Sequence, residues 1–240
     1  TMPDIATKRA RVQALLSAHS PADAIATYYA LHHDPARTRL FLHHDAAGHA
    51  DGFLVRAQTG MDLFTPTVIA RAPSEQAAAT LFQSGLIAGR PYFLLLPPEL
   101  EAVAFRDLEV SAAERLHVYC LEPKHFRPVI NALVQPGAGQ NGMPRFEIRS
   151  EQRALSTAAV IWRSPHFAEI SVSTAPEARG RGWGRSVVSA LANEILTMDV
   201  QPLYITAGDN QASIRVAKAL GFDDTDARIF SGSATRPPTS

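Results

Sequence analysis

Residues 177–185, Glu-Ala-Arg-Gly-Arg-Gly-Trp-Gly-Arg, set three glycines at alternate positions among three arginines. Glycine opens backbone conformations closed to other residues, so successive N–H groups can turn toward one concavity. A helix placed directly after such a loop adds its unpaired first amides and the positive end of its dipole. Arg179, Arg181 and Arg185 add mobile positive charge. The chemistry on offer is the binding of a pyrophosphate, mostly by main chain. Spacing alone leaves open a plain glycine-rich turn with solvated arginines. The pattern is Gly-x-Gly-x-Gly, not the Gly-x-Gly-x-x-Gly of dinucleotide sites, and no Gly-Lys-Ser/Thr follows as in a P-loop.

The flanking residues define the elements that would position this loop. Residues 167–174 alternate Ile170 and Val172 with polar residues, which predicts a strand. A helix is predicted over 183–197, a short buried strand over 202–206, a helix over 211–220 and a last strand over 227–231. Residues 146–150 and 154–162 read as two strands before a turn at Ser164-Pro165.

In this setting the sequence resembles the GNAT superfamily of acyl-CoA N-acyltransferases. Arg179-x-x-Gly182-x-Gly184 is similar to that family's pyrophosphate motif, and Thr174-Ala175-Pro176-Glu177 resembles its lead-in. Asn210-x-x-Ser213-x-x-x-Ala217-x-x-Leu220-Gly221-Phe222 resembles its second signature, on the helix after the next strand. The resemblance covers about 146–232. It implies an α/β (α+β) fold with a mixed, mostly antiparallel sheet flanked by helices, and acetyl-CoA as co-substrate. It also implies that Val172, Ser173 and Thr174 end a splayed strand whose backbone pairs with the pantetheine arm. The loop from Arg179 through Gly180, Arg181, Gly182, Trp183 and Gly184 to Arg185 would hold the pyrophosphate. Asn210 would bond near the pantetheine and Ser213 would sit near the cofactor; a helix cap is an equally good reading of Asn210, and both roles can coexist. Gly221 would stop its helix and Phe222 fill the core.

Glu169 lies on the strand leading to the loop and resembles the glutamate that some members use as base; a solvated strand carboxylate is the alternative. A backbone N–H near Ser173 or Thr174 would polarise the thioester carbonyl. One departure stands out. Many members carry a tyrosine on the last helix as general acid, and the matching position here is Ala217. Ser213 lies one turn earlier, and Tyr204 and His166 are other donors in the same half.

Residues 135–144 hold three glycines and two prolines, so we divide the chain into 1–134, a linker 135–145, and a GNAT domain 146–240. The first half carries no recognised motif; an acceptor-side half and a degenerate GNAT-like copy are both consistent with its outline. Its spacing predicts helices over 5–19 and, with Ser20 as cap and Pro21 at the first helical position, to Leu31. Strands follow at 38–43, 52–57 and 67–71, a helix at 74–86 capped by Ser74, strands at 91–96, 102–105 and 116–121, and a helical piece over 122–133. The tail 235–240 reads as frayed.

Charged residues balance at 23 of each sign, which gives no support for nucleic acid or an anionic membrane as partner. No apolar run approaches the ~20 residues of a bilayer span, and no leader pattern is found. The lone Cys120 forbids an intrachain disulfide and lies in an apolar strand, as a core residue. The expected location is cytoplasmic. His32-His33-Asp34 and His43-His44-Asp45 with His49 are read as surface or loop histidines, because adjacent strand residues face opposite ways, and no metal is expected. The leading expectation is an N-acetyltransferase acting on an amine of a small molecule. A non-catalytic acyl-CoA-binding regulator and a transferase of a longer acyl group are the alternatives. The acceptor and the oligomeric state are not legible.

Overall fold

The computed structural model describes residues 4–59, 64–139, 142–151 and 153–238. The fold is α/β, a mixed and mostly antiparallel sheet flanked by helices. The chain forms two compact units, Thr1–Leu116 with Arg228–Ser240, and His117–Ala227. The changeovers fall inside two long strands, β5 (Glu109–Leu121) and β11 (Phe222–Thr235). They do not fall at the glycine-rich segment. Within that segment Gln135–Pro136 form a short strand, β6, and Gly137 N donates to Arg145 O, so the described part is tied to a sheet edge; residues 140–141 lie outside the described residues.

In the first unit, α1 (Ile5–Gln13) is capped by Asp4 and is shorter than its spacing suggested. Residues 21–23 are a turn, not the start of a Ser20-capped helix; α2 (Ala24–Thr27) follows and widens into a single π-turn over Tyr28–His32. Strands β1 (Thr38–His44), β2 (Ala50–Ala57) and β3 (Thr67–Arg71) run antiparallel in sequence, and β4 (Pro91–Leu96) joins β3 in parallel. The crossover is α3 (Glu75–Gly85), where Ser74 Oγ accepts from Ala77 N. Residues 102–105 are not a strand. Leu100, Val103, Ala104 and Leu108 repeat at helical spacing, all four are buried, and the segment is α4 (Glu101–Asp107). The 230–235 part of β11 closes this unit beside β4. The tail is not frayed as far as Arg236, which bridges Ala88 and whose Nε donates to Leu86 O.

The second unit repeats the plan. Strands β7 (Arg145–Ser150), β8 (Arg153–Arg163) and β9 (Phe167–Thr174) are antiparallel, and β10 (Gln201–Ala207) joins β9 in parallel across α5 (Trp183–Thr197). Helix α6 (Gln211–Leu220) precedes β11. Val187, Val188, Leu191 and Ile195 form one stripe on α5 and are essentially inaccessible. Burying each such side chain stabilises by about 1.5–3 kcal/mol. The stripe packs on Ala168, Ile170 and Val172 of β9 and on Ile214, Ala217 and Leu220 of α6, which fixes both helices against one core. Residues 122–133 are not helical beyond one short turn at Pro123–His125. Pro128 lacks an N–H, Val129 N donates to Ser189 Oγ, and Phe126, Val129 and Val134 pack on the core, so the segment lies along α5 as an irregular strap. Cys120 is buried, and burial pushes its thiol up to about 12.

Among the described residues no helix is long and apolar enough to cross a membrane, and no three His, Cys, Asp or Glu gather as a metal site would require. His33 is not a surface histidine: it is buried, and its Nδ1 meets Thr38 Oγ1 at 2.8 Å.

Candidate functional site

Parallel pairing of β9 with β10 runs from Phe167↔Gln201 to Ile170↔Tyr204 and then stops, while β9 continues to Thr174 and β10 to Ala207. The two strands therefore part. On its other edge β9 stays paired with β8 as far as Thr174↔Ser156, so only the edge facing β10 is open. A cleft of about 650 Å³ lies in this opening.

Most of its walls come from four elements. Val172, Ser173 and Thr174 give the strand end. Arg179, Gly180 and Gly182 give the loop, and Trp183, Gly184 and Arg185 the first turn of α5. Asn210 and Ser213 come from α6. Gly180 and Gly182 adopt φ of +77° and +75°, left-handed values that cost other residues free energy, and a Cβ on either would meet open space. Curling at these two points bends the loop. Gly184 instead permits a close approach: a Cβ there would stand 3.2 Å from Thr174 Oγ1.

No side chain caps α5 at Gly182. Among the described residues, the backbone N–H groups from Gly180 to Arg185 have no protein acceptor. Six adjacent donors at a helix N-terminus form a cradle for an anion. Coenzyme A presents a pyrophosphate, and these residues fit it. Arg179 Nε reaches Thr174 O at 3.5 Å. Asn210 caps α6, its Oδ1 accepting from Ser213 N at 3.1 Å, which leaves its amide N–H groups for the cleft. Gly221 ends that helix in the left-handed conformation, and Phe222 is buried.

Two of the expected residues are placed elsewhere. Arg181 does not line the cleft, because its guanidinium lies over the Trp183 indole, 5.1 Å from the ring centre; only its amide belongs to the cradle. Glu169 is also outside the cleft lining. It is the residue before Ile170, the last of β9 paired with β10, and it points to the sheet face opposite α5. A bulge at Ile161 shifts the register so that Trp162 stands directly across from Glu169. Trp162 Nε1 donates to Glu169 Oε2. Burial pushes the carboxyl up to about 7, and the indole donor opposes the rise. A carboxyl of this kind is half ionised near neutral pH, as a proton acceptor requires.

The cleft also contains Tyr204, from β10, and Arg215, from α6. Tyr204 is 2% exposed, and its hydroxyl meets no hydrogen-bond partner among the described residues. Burial raises its pKa; Ser213 lies near enough to oppose this, though outside hydrogen-bond geometry. Ala217 is fully buried beneath α6. Arg215 is the residue the sequence reading missed. Its signal was available: it lies two residues past Ser213 on an exposed part of α6.

Residues 148–231 match the family model described as FR47-like protein. No curated protein sequence matches the chain. Among solved structures, the fold is similar to a GCN5-related N-acetyltransferase from Sphaerobacter thermophilus (TM-score 0.64, 10% identity, 99% of this chain and 96% of that one). It is similar to another from Kribbella flavida (TM-score 0.62, 14% identity, 91% and 95%). A tandem GNAT protein from the clavulanic acid biosynthesis pathway also aligns (TM-score 0.55, 15% identity, 91% and 89%). The parted strands, the glycine-bent cradle and the capped second helix all lie in the stretch that matches the FR47-like model, and the fold of the chain is similar to that of GCN5-related N-acetyltransferases.

Proposed function

We propose that the second unit binds acetyl-coenzyme A and transfers its acetyl group to an amine of a small-molecule acceptor. The observation that carries the reading is the row of uncommitted amides from Gly180 to Arg185, set at the mouth of the parted β9 and β10. These amides, with Arg179 and Arg185, would hold the pyrophosphate, and the open edge of Val172–Thr174 would pair with the pantetheine amides. When bound, the co-substrate supplies an activated acyl carbonyl, which an N–H near Ser173 or Thr174 would polarise.

Two side chains are suited to proton movement. Glu169 takes the proton from the attacking amine, directly or through water, since its carboxyl titrates near neutrality. Tyr204 gives a proton to the departing sulfur: its hydroxyl is protonated at neutral pH, uncommitted, and at the cleft wall. This replaces the donor that Ala217 cannot supply.

Ala217 also favours a second reading, a non-catalytic acyl-CoA-binding protein. Turnover of acetyl-CoA with a panel of small amines separates the two. Glu169→Gln should lose turnover while keeping coenzyme A affinity. A protein that binds coenzyme A but turns over none of the panel supports the regulator.

A further inference from the structure

We propose that the first unit carries a separate site for a compact multivalent oxyanion, built from Arg37, Arg39, Arg56 and Arg90. These side chains line one cavity of about 260 Å³ together with Ala36, Gln58 and Pro66, and among the described residues no carboxylate lines it. Arg39 and Arg56 are directly opposite each other in the antiparallel β1–β2 register. Like charges in that position repel and destabilise a sheet. Arg37, just before β1, and Arg90, just before β4, bring two more positive charges to the same place.

Three other arginines of the unit are neutralised by carboxylates. Arg71 pairs with Asp23 at 3.2 Å, Arg106 with Glu75 at 2.7 Å, and Arg115 with Glu101 at 2.7 Å. Among the described residues, Arg37 alone of the four approaches a carboxylate, Asp34, at 3.8 Å with both side chains more than half exposed. Arg39 Nη1 donates to Thr38 O, and Arg56 Nη1 to Gly85 O at 2.9 Å. The Arg56 guanidinium also lies over the Phe41 ring. Carbonyl oxygens and an aromatic face orient a guanidinium without cancelling its charge. Arg56 is thus a fixed floor, and among the described residues the Arg90 side chain has no ion-pair partner at all. A guanidinium fork matches phosphoryl and carboxylate oxygens. The ligand class is a phosphoryl group or a polycarboxylate small enough for this volume.

The test uses the full chain carrying Gly182→Asp, so that the α5 loop cannot contribute, in a chloride buffer of low ionic strength. Orthophosphate and citrate are titrated separately by calorimetry. We expect saturable one-site binding of at least one of them, weakened at least about tenfold in Arg39→Gln/Arg90→Gln, as loss of charge-assisted contacts requires. Binding of phosphate alone assigns a phosphoryl ligand, and binding of citrate a polycarboxylate. A second readout is the melting temperature. Without a multivalent anion Arg39→Gln should melt higher than its parent, because a repulsion is gone, and saturating anion should reverse the order. No saturable heat with either anion, or equal affinity in the double variant, overturns the site.

Discussion

As the proposed base, Glu169 would set both a rate and a stability. Its carboxyl is held near 7 instead of the usual 4.5, so the base form grows in as pH rises through about 7, and kcat should rise on that limb. Trp162→Phe removes the donor that favours the carboxylate, so the limb should move to higher pH; a limb that stays or moves down contradicts the contact as described. The same shift acts on folding. A folded-state pKa above the unfolded one means that stability is full below about 4.5 and is lost as pH rises through 7, on the order of 2 kcal/mol. Glu169→Gln should therefore melt higher than the parent at pH 8 and about equally at pH 4, as thermal denaturation will show. Tyr204→Phe tests the donor. It should lower kcat by about a hundredfold to ten-thousandfold with coenzyme A affinity intact, and it should not destabilise, because among the described residues the hydroxyl it removes is buried without a partner.

The β9–α5 connection is where element geometry becomes function. Eight residues, 175–182, join strand to helix, with two left-handed glycines and no side-chain cap. Gly184→Val should push the first turn of α5 away from Thr174 and weaken coenzyme A binding while the fold persists; unchanged affinity would show that the close approach is not needed. Much of this was legible. The boundaries of β9, α5 and α6 follow from period and caps alone, because alternation, a long apolar stripe and an Asn cap each have one structural reading. Other elements were not. Residues 102–105 form a short apolar run, and only the wider repeat from Leu100 to Leu108 betrays α4. The strap at 122–133 is shaped by Ser189 and Ser186 on α5, partners far away in sequence. Glu169 faces away from the α5 core and meets Trp162 because of a bulge, and nothing in its neighbouring residues announces that register shift.

Over the whole molecule, each unit has three antiparallel strands, a helix and a parallel strand, yet the two differ at the step that would bind a pyrophosphate. In the first unit only residues 72–74 separate β3 from α3. There Ser74 Oγ takes the amide of Ala77, and Glu75 sets a negative charge in the first turn, where an anion would sit. Cap and charge repel the ligand that the second unit's bare glycine loop would hold. We propose that the first unit is a worn copy of the second, with the fold kept and the cradle absent. One coenzyme A per chain, held by amides 180–185, is the expected stoichiometry. Calorimetric titration of the chain with coenzyme A measures this directly. Saturation at one equivalent, abolished by Gly182→Asp, is the expected result; no heat, two equivalents, or undiminished binding in that variant would contradict it.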